Sequence, residues 1–129
     1  MDIVLETRVE NPSLALREFK RFADGSGYST TLAVRSGWIS AEYGFFFEQP
    51  RLVAFIQALE EIDRTLVGSA KLKPVYEEQF IAFHGNGMGH IGVQGDLVEH
   101  DGIEQRVRFA FRTDQTCLGP FIRALRQAS

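Results

Sequence analysis

The fold is decided by the closing stretch of the chain, Arg106-Val107-Arg108-Phe109-Ala110-Phe111-Arg112-Thr113-Asp114-Gln115-Thr116. Its first part alternates charged or small side chains with apolar ones, which is the period of a strand with one buried face. The segment Thr113–Thr116 then offers short side-chain oxygens that accept from free backbone N–H groups, so it predicts a helix N-terminus. Apolar residues follow at helical spacing: Leu118, Phe121, Ile122 and Leu125. The chain is therefore predicted to end as a strand, a cap and an amphipathic helix.

In the first part of the chain, apolar and polar residues also alternate as they do in strands. Ile3 to Val9 predicts a first strand, and Tyr28 to Arg35 and Trp38 to Phe47 predict two more. Leu14 to Phe22 fits either a bulged strand or a short helix because its alternation slips before Phe19, and we favour the strand. The run Phe45-Phe46-Phe47 breaks the alternation of its strand, which predicts that this end of the strand is covered on both faces.

The period changes to 3.6 residues after this strand. Pro50 suits a first helical turn, and an apolar stripe continues from Leu52 to Leu66 until Gly68, which predicts the end of the helix. The Asp101-Gly102 pair is a strong hairpin signal. Four strands are predicted after the helix: Ser69 to Lys73, Val75 to His84, His90 to Val98 and Ile103 to Arg112. These elements predict one α+β domain over residues 1–129. Its architecture would be a single curved antiparallel sheet of about seven to eight strands, with two helices packed on one face.

Composition and charge exclude several classes of partner. The net charge is −3 and no run of basic residues occurs, which argues against nucleic acid and anionic membranes. The single cysteine, Cys117, excludes an internal disulfide. The N-terminus lacks the basic and apolar regions of a secretory signal, so a cytoplasmic protein is expected.

The candidate chemistry is sparse. The glycine-rich stretch Gly85–Gly89 lies between two strands rather than before a helix, so it is interpreted as a hairpin loop and not as a phosphate site. His84 and His90 flank this loop, but the spacing supplies no third metal ligand. Cys117 lies near a helix N-terminus and is interpreted as structural. We therefore predict no catalytic residue, no metal and no cofactor.

One face of the predicted sheet is expected to be open and to bind a partner. Its candidate residues are Trp38, Ser40, Glu42, Arg106, Arg108 and Arg112. An exposed tryptophan beside mixed charges is typical of a protein-binding hot spot. The alternative is that Trp38 packs at a hairpin end. In that case the arginines would pair across strands, with partners among Glu42, Glu77, Asp96 and Glu104.

Three stretches resemble a known family. They are Gly44-Phe45-Phe46-Phe47 leading into Pro50–Phe55, Gly92-Val93-Gln94-Gly95-Asp96, and Val107–Thr116 running into Leu118 and Phe121–Leu125. With these features the chain resembles the WapI-type immunity proteins of bacteria and related small domains. Most of the matching positions are core or cap residues, so the resemblance transfers no site residue.

The resemblance implies a non-enzymatic cytoplasmic protein that binds and neutralises a toxin domain from another bacterium, through complementary shape and charge. Two alternatives stay open. One is a small-molecule-binding or enzymatic domain with a pocket between sheet and helices, rimmed by His84, His90 and Tyr43. The other is a homodimer formed through the exposed sheet face.

Overall fold

A computed structural model describes residues 1–129 and confirms the α+β class. The eight strands are β1 (Ile3–Leu5), β2 (Ser13–Arg21), β3 (Gly27–Ser36), β4 (Ile39–Glu48), β5 (Val67–Leu72), β6 (Phe80–Asn86), β7 (His90–Asp101) and β8 (Ile103–Asp114). Helix α1 (Gln49–Thr65) connects β4 to β5, and helix α2 (Leu118–Ala128) follows a short 3-10 turn at Gln115–Cys117. The chain thus consists of two successive units, each with four strands and one helix.

The prediction of a single sheet is wrong. Strands β1–β4 form one four-stranded sheet, called sheet A, and β5–β8 form a second, called sheet B. Within each sheet every strand pairs antiparallel with the strand before it in the chain. The split follows from α1, which takes the chain away from the edge strand β4 before β5 begins. The alternation of apolar and polar residues along a strand shows only which side chains lie on which face of that strand. It therefore could not distinguish one sheet from two.

Both helices pack against the inner faces of the sheets. The Phe83 ring on β6 stacks on Phe121 of α2 with centroids 5.6 Å apart, and it meets Phe55 of α1 edge-on at 5.8 Å. Helix α2 also contacts β1 and β2 of sheet A. One hydrophobic cluster of 28 buried residues therefore includes side chains from both sheets and both helices.

The helix ends show which local signals were informative. The Asp114 side chain accepts from the Thr116 N–H at 2.9 Å, so the predicted capping residue caps the 3-10 turn that leads into α2, whereas α2 itself has no side-chain cap. Helix α1 ends earlier than predicted, because Leu66 rather than Gly68 is its left-handed cap residue, with φ 69°. The Leu66 N–H donates to the Ile62 carbonyl at 2.8 Å. Neither helix is long and apolar enough to cross a membrane.

Three predicted strands had uncertain or misplaced boundaries. The first, predicted from Ile3 to Val9, ends at Leu5. Strand β2 is a strand as favoured, with an irregularity between Arg17 and Lys20 that still leaves Phe19 buried. The predicted strand from Val75 is wrong over its first part, because β6 begins only at Phe80. The Val75 N–H donates instead to the Glu48 carboxylate at 3.1 Å, so it is bound outside the sheet.

Gly85 provides a test of how closely α1 approaches sheet B. A Cβ at this position would lie 2.5 Å from the Leu66 carbonyl oxygen and 2.9 Å from Ile62 Cγ2. Gly85→Ala should therefore lower the free energy of unfolding by about 1–3 kcal/mol, measured by urea denaturation. Gly92→Ala on β7 is the matched control, because its Cβ would meet only the His84 carbonyl oxygen at 3.9 Å. Equal effects of the two substitutions would contradict this packing.

Candidate functional site

Trp38 lies at the tip of the β3–β4 hairpin, in the turn that precedes β4. Its side chain is 94% exposed, so the alternative in which it packs at the hairpin end is wrong. Burying a tryptophan removes a large apolar area from water, and tryptophan is enriched at interface hot spots. The side chain is available to a partner without any rearrangement of the core.

The hairpin tip is held in place on both sides. The Asn11 side chain forms two hydrogen bonds with Gly37, donating to its carbonyl at 2.8 Å and accepting from its N–H at 3.0 Å. The Ser36 hydroxyl donates to the Ala110 carbonyl at 3.1 Å, across the gap between the sheets. Because β8 is the edge strand of sheet B, this contact places the Trp38 turn against that edge.

Ser40 and Glu42 lie on the outer face of sheet A. They line a shallow cleft of about 430 Å³ together with Arg17, Arg35 and small side chains of β2 and β3. Glu42 forms a long ion pair with Arg17 at 3.5 Å, in which both side chains are largely exposed. An exposed pair of this length stabilises the fold by well under about 1 kcal/mol, so both groups can exchange partners.

The three predicted arginines share the outer face of β8 but differ in their surroundings. The Arg106 side chain is only 28% exposed and contacts Glu78 at 2.7 Å and Asp96 at 3.6 Å. Arg108 contacts Asp96 at 3.5 Å and remains largely exposed. Arg112 has no ion pair and no side-chain hydrogen bond. Arg106 is therefore fixed in a network, whereas Arg112 is free to meet a partner.

The two halves of the predicted site approach each other where sheet A meets β8, and Glu42 shares a cleft there with Gln105 and Val107 of β8. The carbonyl that accepts from Ser36 belongs to Ala110, which lies on β8 between Arg108 and Arg112. Trp38 is therefore near the exposed arginines of β8. Arg106 lies further along β8, next to Glu78.

The histidines do not form the pocket considered from sequence. His90 pairs in register with Asp114, and His84 pairs with Gly92, so the two histidines do not face each other across the hairpin. The His84 Nδ1 atom is 2.8 Å from the Ser69 hydroxyl. No group of three or more histidine, cysteine or carboxylate side chains is arranged to hold a metal ion.

Tyr43 lies at the contact between the sheets. Its hydroxyl donates to the Val98 carbonyl on β7. Burial raises the pKa of this phenol, and the nearby Glu77 carboxylate raises it further. Tyr43 therefore stays protonated and joins the two sheets.

The sequence interpretation missed a group of exposed aromatic residues. Tyr76 is 95% exposed in the β5–β6 loop, and Phe46 on β4 is 54% exposed. The prediction that Phe45-Phe46-Phe47 is covered on both faces is thus wrong within this chain, because Phe46 faces solvent. The available signal was Pro74, which marks a break before Val75 and Tyr76 and argues for a loop.

Cys117 is buried at the start of α2, as a structural cysteine would be. Burial raises the pKa of its thiol to about 11, and this effect outweighs the hydrogen bond with Thr113 that lowers it. The thiol is therefore protonated at neutral pH and is a poor nucleophile.

This state of Cys117 can be tested with a thiol reagent. The native protein should react with Ellman's reagent at pH 8 at least tenfold more slowly than the same protein in guanidinium chloride, because the buried group is a thiol rather than a thiolate (about tenfold per pKa unit). Absorbance of the released thiolate measures both rates. Fast reaction of the folded protein, at the rate of the unfolded one, would contradict the burial.

Comparisons with known proteins identify a family and a solved structure of similar fold. A search of curated proteins finds no match to this sequence. Among solved structures, a chain of the crystal structures of Trypanosoma bruciei MRP1/MRP2 has the same fold, with a TM-score of 0.57 and 13% identity over 99% of this chain and 81% of that one. The family model described as the immunity protein WapI-like family matches residues 14–129. The protein therefore belongs to the WapI-like immunity protein family.

Proposed function

We propose that this protein binds a bacterial toxin domain in the cytoplasm and neutralises it by covering a surface that the toxin needs. Membership of the immunity family supports the class of function. The observation that carries the proposal is the isolated Trp38 side chain, which is 94% exposed at the tip of a fixed hairpin. Tryptophan is among the residues most enriched in interface hot spots, where its burial contributes a large share of the binding free energy.

The fixed hairpin favours binding because the ordering cost has already been met by folding. The hydrogen bonds of Asn11 to Gly37 and of Ser36 to Ala110 hold the turn before any partner arrives. A preorganised contact residue loses less conformational entropy on binding than a mobile one. Trp38 would therefore be a preorganised anchor of the contact.

The proposed contact extends from Trp38 in two directions. Ser40 and Glu42 would meet the partner on the outer face of sheet A, and Arg108 and Arg112 would meet it on β8. Arg106 would contribute by holding its neighbours, because recruiting it would break its ion pair with Glu78. An interface of ordinary size covers about 800 Å² on each partner, which is enough to include both directions.

Neutralisation by occlusion needs no chemistry from this chain. Cys117, which is buried and protonated, is the one cysteine, and the His84 ring is paired with the Ser69 hydroxyl. A tight complex that blocks substrate access to the toxin would be sufficient.

The experiment begins with affinity capture from the host's lysate, and mass spectrometry identifies the partner. The partner's toxic domain is then produced, and its affinity is measured by calorimetry. Trp38→Ala should weaken binding about thirtyfold, since a hot-spot truncation costs about 2 kcal/mol or more. Co-expression should show the same loss as reduced survival of cells that produce the toxin.

Ile103→Ala is the matched control. Ile103 is also a large apolar residue, 78% exposed, at the tip of the β7–β8 hairpin. Neither substitution removes a core contact, so both variants should keep the melting temperature of the wild type. The proposal would be wrong if the captured partner had no toxic activity, or if wild-type protein failed to protect cells from it. Equal affinities of Trp38→Ala and the wild type would remove Trp38 from the contact.

A further inference from the structure

A second exposed surface lies at the opposite end of β4 from Trp38. Phe46 on β4 and Phe22 after β2 line one cleft of about 150 Å³, together with Glu48, Pro74 and Glu77. Phe46 is 54% exposed and Phe22 is 39% exposed. The rings of Phe46 on β4 and Phe22 after β2 have no polar group, so a partner that covered both would remove apolar area from water.

This cleft continues into a second one. Tyr76, Glu77, Glu78, Val98 and Glu99 line an adjoining cleft of about 450 Å³, so Glu77 belongs to both. Tyr76 at its rim is 95% exposed. We call the combined surface the aromatic–acidic patch: Phe22, Phe46, Tyr76, Glu48, Glu77, Glu78 and Glu99.

The patch carries an excess of negative charge. The two clefts are lined by four glutamates, by His100 and by no lysine or arginine, and Arg106 of β8 pairs with one of the glutamates, Glu78, at 2.7 Å. The whole chain has a net charge of only −3, so the rest of the surface is close to neutral by comparison. The negative charge of Glu77 also contributes to the raised pKa of the Tyr43 phenol.

The loop that presents Tyr76 is held at both ends. The Glu48 carboxylate accepts from the Val75 N–H at 3.1 Å instead of capping α1, which has no side-chain cap. Glu78 contacts Arg106 at 2.7 Å, and the buried Gln79 amide donates to Glu77. Tyr76 is therefore exposed on a fixed segment, which is the arrangement of a preorganised contact residue.

We propose that the aromatic–acidic patch docks a basic protein surface, with an apolar side chain between Phe22 and Phe46 and lysine or arginine side chains against Tyr76 and the surrounding glutamates. Charge complementarity selects this occupant. A basic partner gains ion pairs with the carboxylates and cation–π contact with the exposed Tyr76 ring. Nucleic acid would be repelled by the same carboxylates. A second copy of the chain would place glutamates opposite glutamates across a symmetric contact. Assigning the basic surface to the toxin rests on the function proposed above.

The test of the patch itself uses defined probes rather than the toxin. Isotope-labelled protein is titrated with a short synthetic peptide of alternating lysine and leucine, and amide shifts are followed by NMR. A matched peptide of alternating glutamate and leucine is the control probe. We expect the basic peptide to shift the amides of Phe22, Phe46 and residues 75–79, with binding that weakens as salt is added. The acidic peptide should leave these signals unchanged.

Matched variants then distinguish binding at the aromatic–acidic patch from binding at the Trp38 turn. Tyr76→Ala combined with Glu77→Gln should weaken binding of the basic peptide at least tenfold, whereas Trp38→Ala should leave it unchanged. Glu99→Gln, which alters the charge but no aromatic ring, should give an intermediate loss. Shifts that map elsewhere, equal binding of both peptides, or no binding of the basic peptide would overturn the proposal. A dimer of the free chain that Tyr76→Ala dissociates would also overturn it, in favour of a second copy.

The toxin provides the last arm and keeps the two proposals distinct. If wild-type protein protects cells and the Tyr76→Ala, Glu77→Gln variant protects equally well, the patch is not the toxin's docking site and the assignment is wrong. If wild-type protein does not protect at all, the proposed function fails, and the peptide titration still decides whether the patch binds a basic surface.

Discussion

The packing of Phe55, Phe83 and Phe121 is the contact on which the rest of the structure depends. These rings join α1 and α2 to the inner face of sheet B, with centroids 5.6 and 5.8 Å apart. Helix α2 also lies against sheet A, so the two four-stranded halves share one core. Each sheet buries one apolar face in this shared core, so two helices are enough to cover both sheets.

This arrangement leaves the outer faces and strand ends free for function. The hairpin bearing Trp38 is fixed at one end of β4, and the exposed rings of Phe46 and Tyr76 lie at the other. Ten residues of strand separate the two ends, which corresponds to about 33 Å of extended chain. One protein partner of ordinary size spans such a distance, so both surfaces can belong to one complex.

How far the sequence predicted the fold depended on how local each signal was. The Asp114 cap and the Asp101-Gly102 hairpin were predicted correctly, because each depends on neighbours in the chain. The split into two sheets was missed, since it depends on where α1 directs the chain. The strand predicted from Val75 to His84 was wrong only over its first part, where Glu48, distant in sequence, binds the Val75 N–H; Phe80 to His84 do lie in β6.

The same contrast between local signals and distant contacts applies to the candidate site. Outward orientation of Ser40 and Glu42 follows from the period of a strand, and the sequence was sufficient for it. Which arginines are free depends on cross-strand and loop partners, and here Asp96 and Glu78 restrain Arg106. The alternative of cross-strand pairing therefore describes Arg106 and Arg108, whereas Arg112 has the freedom expected of a binding residue.

The most direct test of the account is hydrogen–deuterium exchange of the free chain and of the chain bound to the captured toxin domain. We expect slower exchange in the bound state at the Trp38 turn and in the loop of residues 73–79, with exchange in α1 and α2 unchanged. Exchange that slows in the helices and not at these two surfaces would contradict it, because the partner would then act through the core rather than through the exposed ends of β4.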